Sequence, residues 1–540
     1  MATEHGTGRK MSTVEIADES KLAELGYKQE LQRDWSVMHN FGVSFSIISI
    51  VTGITTLFSF GLVTGGPGVM SIGWLIVCMM TMFVGLSMAE IVSAIPTSGG
   101  PYFWAAMLAP KEYAPFLAWV TGWSNFVGQF AVTTGIDFGL AGLISTTATV
   151  LNDYTPTPGK TIAIHLAILV SHGLVNTFGV HILRYLNNSS IILHSLGVGS
   201  LAIAVVAKAP THMSAKQVFA TFNDGTGVDG APGWSERASP AYVAICGILV
   251  AQYTITGFDA SAHLSEETRD ASRSAPIGVI TSIGVSFLFG WFYMLCLLFS
   301  IQDLDRTINS EYAQPVLQIF VDVFGKTGAV VAMCLVMICV WHCGLFSLTS
   351  NSRMMFAFSR DRALPHFFDH VDKRFHSPTR TIWLAATLAF ILALPSLGSA
   401  VAFSAATSIA TIGLYVSYTI PILIAVIWPA NFKRGVWTLG KFSRPCGIIA
   451  CLWVTFITIV FCLPTLNPVG EQTLNYTPVA VGIVAFFIAA SWFPWARKWF
   501  TGPVRQIELE RLGIDIDDPE AVAEAEAKGM VPEAAGKKMD

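Results

Sequence analysis

Long intervals without a single Asp, Glu, Lys or Arg alternate along this chain with shorter polar connections. A membrane-spanning helix needs about 20 mostly apolar residues to cross roughly 30 Å of hydrocarbon, so the intervals serve as a ruler. Residues 35–89 have room for two helices, broken near Gly65-Gly66-Pro67-Gly68. Residues 113–152 carry one charge, Asp137, and Pro156 and Pro158 close that run. The intervals 161–183, 185–207, 238–258, 274–302 and 327–352 fit one helix each. Residues 381–432 fit two, split at Pro395-Ser396-Leu397-Gly398, and 445–470 and 472–496 fit the last two. The pattern predicts an all-α polytopic membrane protein with twelve transmembrane helices.

Lys and Arg in the connections set the orientation, because short cytoplasmic loops are enriched in them. With the N-terminus inside, the inner loops hold fourteen Lys and Arg and the outer loops six, the latter offset by nine Asp and Glu. Both termini are therefore expected in the cytoplasm. The expected organisation is a tail over 1–34, a transporter domain over 35–497 and a second tail over 498–540. Within the domain, 35–207 and 238–432 form two comparable halves, followed by spans 11 and 12 over 445–497. The charged, Ala- and Gly-rich tails at 1–30 and 506–540 read as disordered, with a short helix at 517–529.

Composition sharpens the class. Of 540 residues, 53% are hydrophobic and 13% charged, whereas a soluble chain carries about 25% charged residues. A soluble multidomain enzyme is excluded. The net charge of −4 offers no basic surface to nucleic acid. Nine cysteines, almost all in apolar runs, show neither ligand spacing nor a secretory disulfide pattern, and read as small core hydrophobes. The chain has no G-x-x-x-x-G-K-[ST] loop, G-x-S-x-G elbow or H-E-x-x-H helix, so neither ATP drive nor hydrolytic chemistry is expected of it. No catalytic residue, cofactor or metal site is expected. A solute carrier powered by gradients remains.

Flexible and polar residues interrupt two spans at mid-depth. In span 1 the segment Ser49-Ile50-Val51-Thr52-Gly53-Ile54-Thr55-Thr56 combines a glycine that eases helix opening with hydroxyls that can satisfy freed backbone groups. Span 6 repeats the combination at Tyr253-Thr254-Ile255-Thr256-Gly257-Phe258-Asp259. Weak points five spans apart are a signature of inverted-repeat transporters, where half-helix N-termini hold a substrate carboxylate. Small residues at ordinary helix crossings are the plainer explanation.

Ionisable residues inside spans are expensive and mark function by default. Asp137, deep in span 3, is either an anchor to a neighbouring helix or a group that reads a substrate amine or passes a proton. Glu90 closes span 2 and suits a structural or inner-gate role. Asp259, just past the span 6 break, suits gating or capping of the inner half-helix. His194 in span 5 is either a satisfied buried imidazole or a titrating group that links transport to protons. His165, His172 and His181 share span 4 without converging as metal ligands. Hydroxyls at the end of span 8, Ser347 to Ser352, suit a cation beside span 1, and the sequence leaves sodium and proton both open.

At longer range, Ser87-Met88-Ala89-Glu90-Ile91 through Pro96-Thr97-Ser98-Gly99-Gly100-Pro101-Tyr102-Phe103-Trp104 resembles the inner loop of the amino acid–polyamine–organocation superfamily. Gly257-Phe258-Asp259, Ser265-Glu266-Glu267-Thr268 and Ala275-Pro276-Ile277-Gly278 resemble its span 6–7 junction. Asn351-Ser352-Arg353-Met354, Ile409 to Tyr415 and Leu474 to Ala480 resemble the amino acid/choline transporter branch, which contains fungal GABA permeases and plant bidirectional amino acid transporters. The resemblance covers roughly residues 25–506. It implies a five-plus-five inverted repeat, the LeuT-like fold, with spans 1 and 6 broken at mid-membrane. By resemblance, Thr52, Gly53, Ile54, Thr254, Ile255 and Thr256 hold substrate through backbone atoms. Ile255 stands where many relatives have an aromatic gate, leaving Tyr253 or Phe258 to take that part, and Gly257 supplies the hinge. Proton-coupled relatives often have a span 5 lysine; here Lys208 lies at the outer end, which directs attention to His194.

The resulting expectation is a secondary active transporter of amino acids, GABA and its relatives first, by alternating access. A choline or polyamine carrier is the alternative. Partners are the amine or amino acid substrate, a co-transported proton or sodium ion, and the bilayer, with no nucleic acid. The plasma membrane is the default location and an organelle membrane the alternative.

Overall fold

The computed structural model describes residues 13–25, 29, 31, 33–151, 154–372, 374–398, 402–503 and, toward the C-terminus, 509, 512–514, 519–528 and 530. Apolar runs without charge became helices, and prolines mark where several begin. Pro sits in the first two positions of α4 (Gly66–Ala94), α5 (Pro101–Leu108), α6 (Ala114–Ala148), α7 (Pro158–Phe178), α12 (Pro240–Gly247), α17 (Pro315–Arg360) and α21 (Thr477–Trp492). There its missing N–H costs nothing and its fixed φ suits the first turn.

Among the described residues, eleven helices are long and apolar enough to cross a membrane, and a twelfth apolar stretch, Pro240–Thr254, is shorter. That stretch comprises α12 and α13 (Leu249–Thr254) and ends where the chain opens before α14 (Ala260–His263). The first crossing is also divided, into α2 (Val37–Ile48) and α3 (Ile50–Val63). Between them Ser49 adopts φ 29° and ψ 79°. The break thus falls at Ser49, the first residue of the segment expected to open, and Gly53 lies inside α3. Further along, α8 (Val180–Ile192) runs through a π turn at Leu193–Gly197 into α9 (Val198–Lys208).

These helices pack as one bundle. α19 (Ala402–Ile427) and α17 lie along α6, α15 (Ala271–Phe299) lies along α4 and α2, and α20 (Ser443–Phe461) covers α19 and α4. Large apolar side chains point outward from the bundle, among them Leu196 at 71%, Leu288 at 68% and Phe486 at 74% exposure. Apolar surface on that scale suits lipid and not water.

Two departures concern charge. α17 continues past the uncharged interval to Arg360 because Arg353 and Arg360 turn inward: Arg353 Nε bonds Glu267 Oε1 at 2.7 Å and Arg360 Nη2 bonds Glu266 Oε1 at 3.0 Å. The N-terminal tail, expected to lack structure, contains α1 (Thr13–Glu24), which buries Leu22 and docks on the connection before α15. Asp18 accepts from Asp270 N at 2.8 Å and Ala271 N at 3.3 Å, capping α15 from a distant part of the chain. In the C-terminal tail α22 (Pro519–Ala527) matches the expected short helix. The ends called disordered, 1–12 and 531–540, lie outside the described residues.

Candidate functional site

The two helix openings lie side by side. At the first, the Ser49 hydroxyl contacts His194 Nε2 at 2.9 Å and Thr52 Oγ1 at 2.5 Å. His194 sits on the π turn, fully buried, with Nδ1 at 3.0 Å from Ser190 O. A carbonyl only accepts, so Nδ1 carries the proton, Nε2 accepts from Ser49 and Thr52 donates to Ser49. The imidazole is therefore fully partnered as a neutral group, and it holds Ser49 in its left-handed conformation. Cys343 Sγ of α17 donates to Ile47 O at 3.2 Å, satisfying a carbonyl freed at the end of α2.

At the second opening, Gly257 has φ 94°, a conformation that favours glycine. A Cβ there would also press on Ile47 Cγ2 of α2. Tyr415 of α19 donates to Ile255 O at 2.5 Å, and Ser44 donates to Phe258 O at 3.2 Å. Below the opening Asp259 is fully buried. Its carboxylate accepts from Tyr418 OH at 2.7 Å and Gln129 Nε2 at 2.7 Å, with His263 Nε2 at 3.2 Å. It makes no capping bond to α14, so the capping reading of Asp259 is corrected: it ties the opening to α6 and α19.

Between the openings is a small cavity of about 20 Å³, lined by Ile47, Ile48, Thr52, Gly53, Val132, Ile136, Tyr253, Thr254, Thr256 and Cys343. Gly53 and Thr254 touch across it so closely that a Cβ on Gly53 would overlap the threonine side chain. Tyr253 also lines a larger vestibule of about 180 Å³ bounded by Leu57, Phe60, Phe461 and Asn475. Tyr253 is the residue common to the linings of the two cavities. At the opposite end the bundle is shut: Trp35 N donates to Glu267 O and Arg269 N to Trp35 O, beside the Arg353–Glu267 and Arg360–Glu266 pairs. Burial raises the Glu266 carboxyl pKa, but Arg360 and the Ser98 N–H outweigh it and hold the group below the ordinary carboxylate range.

Of the residues singled out from sequence, Thr52, Gly53, Tyr253, Thr254 and Thr256 share the cavity wall. Ile54 and Ile255 are fully buried beside it and are not among its lining residues. Phe258 stacks below the opening against Tyr418, with ring centroids 5.1 Å apart. Asp137 does not line the cavity: it is fully buried and pairs with His172 at 3.1 Å. Glu90 is at the closed end, accepting from Thr438 Oγ1 at 2.6 Å and Leu439 N at 3.1 Å. Sequence reading missed Ile47, Ile48, Val132, Ile136 and Cys343, which carry no signal apart from apolarity. Tyr415 was within a quoted motif without a role. Tyr415→Phe removes the bond that aims the Ile255 carbonyl, worth about 1 kcal/mol for a typical hydrogen bond. The expected result is a several-fold rise in KM for uptake, read from its concentration dependence, with membrane protein unchanged.

Two helix openings facing a small cavity of aliphatic and hydroxyl side chains define a polytopic carrier of small solutes. The model of the amino acid permease family matches residues 40–486. Over 509 residues the chain is 44% identical to the amino-acid permease BAT1 homolog of Oryza sativa subsp. japonica, covering 91% of this chain and 96% of that one. It is 43% identical over 521 residues to amino-acid permease BAT1 of Arabidopsis thaliana, covering 93% and 99%. The GABA-specific permease of Saccharomyces cerevisiae is 31% identical over 519 residues, covering 93% and 89%. The chain belongs to the amino acid permease family and is a transporter, not an enzyme.

Proposed function

We propose that this protein is a secondary active transporter that moves GABA and related amino acids by alternating access between the two helix openings. The observation that supports the reading most is the cavity wall itself. Among the described residues it has hydroxyls and a thiol set between aliphatic side chains beside two helix breaks, and no carboxylate, lysine or arginine. An amino acid's charged ends then have helix termini as their partners: the carboxylate meets N–H groups at the start of α3, and the ammonium meets carbonyls at the end of α13. The yeast relative's name supports GABA among amino acids. A choline carrier would call for an aromatic cage and a polyamine carrier for carboxylates; Tyr253 is the one aromatic on the wall, and no carboxylate joins it.

In this reading α12 to α14 form the sixth of twelve spans, the halves 35–207 and 238–432 are inverted repeats, and both termini face the cytoplasm. The vestibule then opens outward, Tyr253 is the outer gate, and the ion pairs of Glu266 and Glu267 close the inner one. A space of about 20 Å³ accommodates about one water molecule, so substrate must part α3 from α13 as it enters. The plasma membrane is the proposed location, with a co-transported ion supplying the drive.

The test is uptake of radiolabelled GABA into a host without amine permeases, against unlabelled neutral and basic amino acids, choline and spermidine. Uptake with competition by neutral amino acids supports the reading. Choline uptake in place of GABA, with protein at the surface, overturns it. Thr52→Ala should lower uptake only mildly, because the Thr52 hydroxyl is engaged with Ser49 and the role proposed for this residue is played by its backbone.

A further inference from the structure

Asp137 of α6 and His172 of α7 form a pair that the proposed substrate site does not use. Both side chains are fully buried, with His172 Nδ1 at 3.1 Å from Asp137 Oδ2. The other half of each group lacks a hydrogen-bond partner among the described residues: Asp137 Oδ1 on one side and His172 Nε2 on the other. Gly344 of α17 abuts both, and any Cβ there would overlap Asp137 Oδ1. The ring of Trp341 covers His172 at 5.2 Å.

Charge decides what such a pair does. With a neutral imidazole and an ionised carboxylate the pair carries −1 at a fully buried position, which is costly. One added proton makes it neutral overall, whether shared as carboxylate and imidazolium or as acid and imidazole. Burial therefore favours the loaded form, and contact with water favours release. The titratable groups near the pair do not replace the proton with a fixed cation. They are His165 on α7, and His342 and Cys343 on α17. α18 (Thr379–Ala393), packed against α7, turns Trp383 and Phe390 toward Gly173 and His165. From α19, Tyr415 and Tyr418 are engaged with Ile255 and Asp259. Arg353 and Arg360 of α17 are paired with Glu267 and Glu266.

Position links the pair to transport. Ile136 and Cys343, the residues preceding Asp137 and Gly344, both line the cavity between the helix openings. The pair thus stands one residue behind the cavity wall, where a rearrangement of α6 against α17 would expose it. His194, by contrast, has partners at both ring nitrogens and serves to hold Ser49.

We propose that Asp137 and His172 are the proton-binding site that couples solute movement to a pH gradient, an inference that rests on the transport reading above. In each cycle the pair takes one proton from water on the side where the cavity is open and gives it to water on the other side. No other bond is made or broken.

The experiment uses purified protein in liposomes with radiolabelled GABA and radiolabelled alanine in parallel, pyranine inside as a pH reporter, and potassium with valinomycin to clamp voltage. Wild type is expected to accumulate label down an inward proton gradient, with internal acidification that depends on substrate. Asp137→Asn is expected to keep counterflow, the exchange of label for internal unlabelled substrate, within about twofold. It should lose gradient-driven accumulation and the pyranine signal at least tenfold. His172→Gln carries the same test if Asp137→Asn fails to give folded protein by size exclusion. Variants that retain both accumulation and acidification, or folded variants that lose counterflow as well, assign the pair to structure and overturn the inference. A wild type driven by a sodium gradient and indifferent to pH overturns it too. A wild type without counterflow of either amino acid overturns the transport reading instead.

Discussion

Gly53→Ala should lower amino acid uptake at least tenfold while leaving the amount of protein in the membrane unchanged. Helix propensity argues for the substitution, since alanine is favoured over glycine by roughly 1 kcal/mol in a helix interior and Gly53 is helical. Sterics argue against it, because the new methyl group would overlap Thr254 on α13. The two effects act on different properties: propensity on α3 itself, overlap on how closely α3 and α13 approach. The expected phenotype is therefore failed closure around substrate and not failed folding. Thr254→Gly removes the obstructing side chain, so Gly53→Ala combined with Thr254→Gly should recover most of the lost uptake, a coupling expected of residues in direct contact. Gly61 is the internal control. A Cβ there meets the flexible end of Met70, which can rotate away, and Gly61→Ala should transport nearly as wild type. Quantitative surface labelling beside initial-rate uptake separates the cases. Loss of surface protein would assign Gly53 to folding, and normal uptake would mean that the α3–α13 contact is not kept during the cycle.

Most of the helices were legible because a single rule, the cost of charge in hydrocarbon, acts on every residue of a span. The opening at 255–259 was legible for a local reason: Gly257 needs its positive φ, and Thr254 and Thr256 bond backward to Val250 and Gln252 carbonyls. Within the Ser49–Thr56 segment the residue that breaks was not legible, because its cause is remote. Ser49 bends where His194, on another helix, receives its hydroxyl, and nothing near Gly53 reports that. Asp137 is costly in hydrocarbon on sequence grounds alone, but α7 carries two histidines, His165 and His172, and only packing selects His172 as its partner. The end of α17 was hidden for the opposite reason. Arg353 and Arg360 read as loop charges, since the rule that located spans forbids buried arginine unless a carboxylate arrives, and Glu266 and Glu267 arrive from a distant part of the chain. α1 was missed because a charged tail can still dock when a few positions, Leu22 and Asp18 here, find prepared partners.

Removing one member of the Arg353–Glu267 pair should open the end of the bundle that we assign to the cytoplasm. In Glu267→Gln the Arg353 guanidinium stays buried, its Nη1 still donating to Ser352 Oγ at 3.2 Å, and an orphaned buried charge costs about 3–5 kcal/mol. That cost falls on the closed arrangement, because water reaches the guanidinium once the end opens, so the population shifts toward the open one. Cys343 is a native reporter, being on the cavity wall and 1% exposed. With the other cysteines replaced, a membrane-impermeant thiol reagent applied from the cytoplasmic side should label Cys343 at least tenfold faster in Glu267→Gln than in wild type. The charge-reversed combination Glu267→Arg with Arg353→Glu should return labelling toward the wild-type rate. Acid should act in the same direction through the neighbouring pair. The Glu266 carboxyl is held below its ordinary range, so its contribution to closure is complete above the usual carboxylate pKa and is lost as pH falls through the depressed value. Labelling of wild type, divided at each pH by that of the same cysteine in unfolded protein to remove the thiolate dependence, should therefore be flat near neutrality and rise only in strong acid. A rise centred near neutral pH would place control of this gate outside the Glu266 pair. Unchanged labelling in Glu267→Gln would show that Trp35 and the α1 segment keep the end shut without the ion pairs.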